Sequence, residues 1–376
     1  MLFWELFFLG SIFVYISGNI FATSCRRVLI YLYILVIWFI GAFRLNIGAD
    51  YSTYEMMYNS FEEIYVDGVE PTFSFIVFIL KQLSFNSQML FVVYETIIIF
   101  FLYIGVKKYC SSYVCRLIFL VLYVIVPVQG GYWWDLNGVR QAATVSVSFL
   151  SSGFFLSKKY FYFLLAFVLA ILFHYSAIIF IILFLYRKRF PFRIVAILLA
   201  LGFIFNFTGI TSKLVMQFIV LGTEIAGKYE DAIFLADVGT KSFSLTAVYL
   251  SILYFGAVRI LKKEKISFLV FNSSSIYILL RVYMSFGIEN SVLGSVLHRF
   301  EVYFLPLFLV FLSISAKKII YMYKMRGLLI TSVIAILLVI ATIQGISKES
   351  EDVMAKIAPG ASAGNIEYDF NFDLFK

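Results

Sequence analysis

Arg140 stands in the stretch Trp134-Asp135-Leu136-Asn137-Gly138-Val139-Arg140-Gln141, where a polar turn meets a long apolar run. Asn137 is a plausible N-cap, which puts Arg140 in the first turn of a helix. A cation is disfavoured there, because the helix dipole already supplies partial positive charge. An anion in the site reverses that balance, since helix N-termini bind phosphate. Snorkelling to headgroups, or pairing with Asp135, are the plainer alternatives. Arg299 repeats the arrangement in His298-Arg299-Phe300-Glu301, with Glu301 as an available local partner. Arg281 lies inside an apolar run, at a depth where an ionisable group faces an internal cavity or pairs, here with Glu95.

Arg44 belongs to Phe43-Arg44-Leu45-Asn46-Ile47-Gly48-Ala49-Asp50-Tyr51-Ser52-Thr53-Tyr54, a glycine-containing turn leading to an acid and two phenols. Asp50 could serve as a base or as a hydroxyl acceptor, and Tyr51 and Tyr54 could stack on the rings of a ligand. Interfacial tyrosines beside a capping Asp are the alternative. His174, in Phe173-His174-Tyr175-Ser176-Ala177, is one of two histidines in the chain. It is the best candidate for a proton acceptor near neutral pH, although a lone His is more often a hydrogen-bonded structural residue. Guanidinium groups for phosphate and an imidazole for a proton are the chemistry on offer.

The elements that must position these residues are membrane helices. The chain has 376 residues, 62% of them hydrophobic and 14% charged, with a mean hydropathy of +0.95. Such a composition excludes an ordinary soluble globule. Arg26-Arg27, Lys107-Lys108, Lys158-Lys159, Arg187-Lys188-Arg189, the segment 259–265 and Lys317-Lys318 each sit between apolar runs, with Arg116, Arg193, Lys324 and Arg326 close by. These turns carry most of the 30 Lys and Arg but only one acid, Glu264. That is the positive-inside pattern of a polytopic protein. The net charge of +8 is accounted for by these turns, so nucleic-acid binding is not expected.

Alternating sides from the basic turns gives an all-α bundle of about twelve crossings, within a range of ten to fourteen, with both termini outside. The spans are 2–22, 28–43, 86–106, 116–129, 138–156, 160–173, 175–186, 192–209, 243–261, 266–286, 299–315 and 327–346. Several are shorter than the roughly 20 residues that cross a bilayer. The pair 160–173 and 175–186 reads alternatively as a re-entrant hairpin turning at His174, and 72–85 as a half-helix dipping in from outside. One integral membrane domain, 1–346, is expected to be followed by an outer-face tail, 347–376. The outer loops, 44–71, 127–137, 210–242 and 287–298, and the tail hold most of the acids. The first apolar run lacks a basic start and a small-residue cleavage signal, so it reads as a retained span. Cys25, Cys110 and Cys115 fall on the basic side, where reduced thiols are expected. No internal repeat is evident, which counts against transporter folds built from duplicated halves.

Among sequence motifs, a Gly-rich phosphate loop, His-Glu-x-x-His, Gly-x-Ser-x-Gly and an outer Asp-x-Asp pair are all missing. Lys and Arg side chains, and no metal or other cofactor, are therefore expected to neutralise any phosphate.

The same residues carry a family likeness. Phe43-Arg44 with Gly48, Asp50-Tyr51 and Tyr54; Asn137 with Arg140-Gln141; Lys158-Lys159 followed by the block 173–177; and Arg299 with Tyr303 occur in that order. In these motifs and in hydropathy layout the chain resembles the Wzy-type polysaccharide polymerases of the EpsG-like branch. The Arg-x10-Gly segment described for some O-antigen polymerases is missing, so residue roles from that branch do not carry over. The resemblance implies a GT-C-like polymerase bundle in the bacterial cytoplasmic membrane. It implies a glycosyltransferase that joins undecaprenyl-diphosphate-linked repeat units at the outer face, making O-antigen, capsule or exopolysaccharide. A chain-length-regulating co-polymerase and a flippase are the partners it implies. Under this reading Arg140 and Arg299 each hold a diphosphate, supported by Arg44 and Arg281. His174 or Asp50 deprotonates the acceptor hydroxyl, and Tyr51, Tyr54, Gln141 and Tyr303 line the substrate. A lipid-linked oligosaccharide flippase and an O-antigen ligase are the alternatives.

Overall fold

A computed structural model describes residues 2–20, 23–48, 50–61, 69–126, 131–208, 245–284 and 299–357. The tail from 358 and the whole of the expected loops 210–242 and 287–298 lie outside the described residues. Every regular element among those described is helical. In chain order they are α1 Leu2–Ile20, α2 Thr23–Ala42, α3 Tyr51–Asn59, α4 Pro71–Gln82, α5 Gln88–Tyr109, α6 Tyr113–Ile125, α7 Tyr132–Asp135, α8 Val139–Leu156 and α9 Tyr160–Phe173. A 3-10 stretch, Tyr175–Ile181, precedes α10 Ile182–Leu185, α11 Phe192–Thr208, α12 Leu245–Ile260, α13 Phe268–Met284 and α14 Leu305–Ile357.

Among the described residues, three helical segments are long and apolar enough to cross a membrane: Ser24–Ala42, Gln88–Tyr109 and Leu305–Ile340. Eight shorter apolar helices accompany them. Large apolar side chains cover their outer faces, with Phe161 74% and Leu185 76% exposed. In water that surface would aggregate, and in a bilayer it faces lipid. The protein is a helical membrane protein.

The short elements fall where the apolar runs are short. α4 has 12 residues, preceded by Glu70 and started by Pro71. α9 has 14 residues, about 21 Å at a rise of about 1.5 Å per residue. The stretch that follows is 3-10 over seven residues and α over four, about 20 Å in all. Neither leg alone reaches across the roughly 30 Å hydrocarbon core. The expected span 327–346 and residues 305–315 of the expected span 299–315 fall in α14, which is broken at Lys324, in the left-handed region at φ 48°. The chain doubles back there: a Cβ on Gly327 would strike the Ile319 carbonyl oxygen, far closer than eight residues of straight helix allow.

The helices form two compact units, Met1–Ile178 with Ser313–Lys376, and Ile179–Leu312. In the first, α8 packs between α5 and α9, α5 also meets α2, and α1 meets α6. α8 is lined with buried Ser146, Ser148, Ser151 and Ser152, small residues that let neighbouring backbones approach. Ser112 caps α6, its hydroxyl accepting from the Cys115 amide at 3.3 Å. Cys110 and Cys115, expected as reduced thiols, are joined across this turn, and Cys25 is free. In the second unit, α13 packs against α11 and α12. Its Asn272 accepts from the Phe190 amide at 2.9 Å and donates to the Lys188 carbonyl at 2.8 Å.

Alternation of the helices in the first unit sorts its polar residues by end. Arg26-Arg27 start α2, Lys107-Lys108 finish α5 and Lys158-Lys159 separate α8 from α9. Arg44, Glu70, Arg140 and His174 lie at the opposite helix ends. α8 alone separates Arg140 from the Lys158 turn by 18 residues, about 27 Å.

Candidate functional site

Three side chains from distant parts of the chain meet at that end of the first unit. Glu70 is the N-cap residue of α4, with φ −64° and ψ 143°. Pro71 at the first helical position imposes this extended backbone on its predecessor. Glu70 makes no capping hydrogen bond; its carboxylate reaches instead to two other elements. Arg140, in the first turn of α8, donates through Nη1 to Glu70 Oε2 at 2.6 Å. His174, the C-cap of α9, places Nδ1 2.9 Å from Glu70 Oε1. The Thr72 hydroxyl donates to the Leu172 carbonyl at 2.7 Å, tying the start of α4 to the end of α9.

Aromatic side chains hold the guanidinium. Arg140 lies 5.4 Å over both the Tyr54 and the Phe73 rings. Tyr54, Phe73, Tyr94 and Phe173 form a connected buried ring cluster beneath. The hydroxyl of Tyr94 is buried without a hydrogen-bond partner. The Arg140 and His174 side chains are each 25% exposed, and Glu70 is 6% exposed. Burial alone would raise the Glu70 carboxyl, but the His174 and Arg140 contacts outweigh it and hold the group below the usual carboxylate range. Glu70 is therefore a carboxylate at neutral pH.

A second cluster lies deeper at the same helix ends. Arg44 is fully buried, donates through Nη1 to the Gly41 carbonyl at 2.6 Å and lies 4.7 Å over the Phe91 ring. Its Nη1 is 3.7 Å from Glu95 Oε2. Asp135 is buried nearby; burial first, then the Glu95 carboxylate, raises its carboxyl well above the ordinary range. Gly41 makes room for this pair: a Cβ there would strike the Glu95 carboxylate. Gly48, at φ 101°, closes the adjacent turn where a Cβ would strike the Leu136 carbonyl oxygen.

The structure places the residues singled out from sequence as follows. Arg140 and His174 come together, and the acid that joins them, Glu70, was not singled out. Gly138, rather than Asn137, is the N-cap of α8. The anion at this helix start is Glu70, not Asp135. Arg44 pairs with Glu95, so the expected Arg281–Glu95 pair does not form; Arg281 instead lies 3.5 Å from Glu301 in the second unit. Arg299 is exposed, and Tyr303 is buried beside Phe180. Asp50 stands exposed at the N-cap of α3 without a side-chain cap bond. Tyr51 and Tyr54 turn inward: Tyr51 stacks on Phe91 at 4.5 Å, and its hydroxyl donates to Gln88. Gln141 is buried.

Fold and site thus define a helical membrane protein with a carboxylate–guanidinium–imidazole cluster gathered at helix ends. A model of the EpsG family matches residues 27–359, and the chain belongs to that family. Membership places it in polysaccharide biosynthesis, with a polymerase-type function. No curated protein and no solved structure gives a significant match.

Proposed function

We propose that the protein is a repeat-unit polymerase that joins undecaprenyl-diphosphate-linked oligosaccharides at the outer face of the bacterial cytoplasmic membrane. The acceptor hydroxyl gives its proton to His174, and its oxygen bonds to the anomeric carbon of the growing chain. The bond from that carbon to the diphosphate breaks, and undecaprenyl diphosphate leaves with the electron pair. The product is one repeat longer.

The observation that carries this reading is the Glu70–Arg140–His174 cluster, partly open and set about one helix length from the basic turns. The positive-inside rule favours the cytoplasm for those turns, and so supports a cluster on the side where lipid-linked repeat units are polymerised. A strain lacking the protein is expected to accumulate single repeat units on the lipid carrier in the outer leaflet. Units held in the inner leaflet would indicate a flippase instead, and normal-length polymer left on the carrier would indicate a ligase.

A further inference from the structure

We infer that the Glu70–Arg140–His174 cluster is the acceptor-hydroxyl site, and that Glu70 keeps the lipid diphosphate out of it by occupying Arg140. This inference rests on the polymerase reading and assigns one of its two substrates. The geometry supplies the reasons. Arg140 already holds a carboxylate at 2.6 Å, so its charge is answered before any substrate arrives. A diphosphate seated on Arg140 would stand within about 4 Å of the Glu70 carboxylate, where like charges repel strongly even at an effective dielectric of about 20. A neutral sugar hydroxyl meets no such barrier.

The polar atoms also suit a hydroxyl. The Glu70 carboxylate stands 2.9 Å from His174 Nδ1, which leaves Nε2 as the ring nitrogen for an acceptor hydroxyl. Arg140 keeps N–H donors beyond the one given to Glu70, and a quarter of its side chain is open. The buried, unpartnered Tyr94 hydroxyl lies beneath, within electrostatic reach of Arg140 and Glu70. Glu70 is nearly enclosed and works through its two neighbours, which makes it a positioning residue.

The test uses full-length protein in nanodiscs and two probes: undecaprenyl diphosphate, and lipid-linked oligosaccharides extracted from cells lacking the protein. Glu70→Gln should slow polymer formation by about 100-fold, because His174 loses its orienting charge. The same variant should bind undecaprenyl diphosphate about tenfold tighter, because Arg140 is released. Glu70→Asp should restore both properties towards wild type, and adding Arg140→Ala to Glu70→Gln should abolish the gained affinity. A merely structural lesion cannot tighten diphosphate binding. Unchanged or weaker diphosphate binding by folded Glu70→Gln would overturn the inference. Wild-type protein that forms no polymer from the extracted oligosaccharides would overturn the polymerase reading, and this inference with it.

Discussion

The two ion clusters of the first unit use the same groups, guanidinium and carboxylate, in opposite surroundings. Around Arg44 and Glu95 there is no exposure, and several donors and acceptors stay unpartnered. Around Arg140 and Glu70 one face is open, a histidine is added and the distance is shorter. Charges sealed in a bundle cost desolvation that their attraction barely repays. The sealed pair therefore fixes how α2 meets α5, whereas the open cluster is the one we propose meets a substrate. The difference shows that the presence of an Arg in a span says little about its task until its neighbours are known.

Separating these tasks by mutation is the way to break the comparison. Glu95→Ala should have the largest effect, since it strands a buried guanidinium. A loss of about 3–5 kcal/mol is expected, read as a fall in melting temperature in detergent. Replacing both partners, Arg44→Met with Glu95→Leu, should restore the melting temperature and keep polymer formation. Arg140→Ala should do the reverse: the partly exposed site should lose less melting temperature than Glu95→Ala, but polymer formation per folded molecule should drop by about 100-fold or more, measured by product length on a gel.

Gly41→Ala should fall between the two, pushing a methyl group against the Glu95 carboxylate. A cost of about 1–3 kcal/mol is expected in thermal unfolding, with activity per folded molecule retained.

The smallest effect should appear in pH. Because the folded protein holds the Glu70 carboxyl below its ordinary value of 4.5, its stabilising contribution is complete above that value. It is lost as pH falls through the folded value. The melting-temperature gap between wild type and Glu70→Gln should therefore close in acid below about pH 4.5. A gap that widens in acid would mean that the carboxyl is raised.

Much of the layout was legible in the sequence because it follows from hydropathy and charge. The short legs near 72–85 and 160–186 were visible as short apolar runs, and Arg140 and His174 as ionisable groups at their rims. Glu70 was hidden among the acids of one loop, Glu62, Glu63 and Asp67. The usable signal was its place directly before Pro71, where an extended backbone must begin a helix. Arg281 and Glu95 were matched by depth alone, and depth does not say which faces of two helices meet. Tyr51 and Tyr54 were read as outward rings, yet with Tyr58 their spacing of three and four puts them on one face of α3, and that face is buried.

The most direct trial of the open cluster compares Arg140→Ala and the Arg44→Met/Glu95→Leu double variant, each purified and incubated with lipid-linked repeat units. A polymer ladder from the double variant and only single units from Arg140→Ala is the expected outcome. A full ladder from Arg140→Ala, at equal folded protein, would contradict the assignment of this cluster to glycosyl transfer.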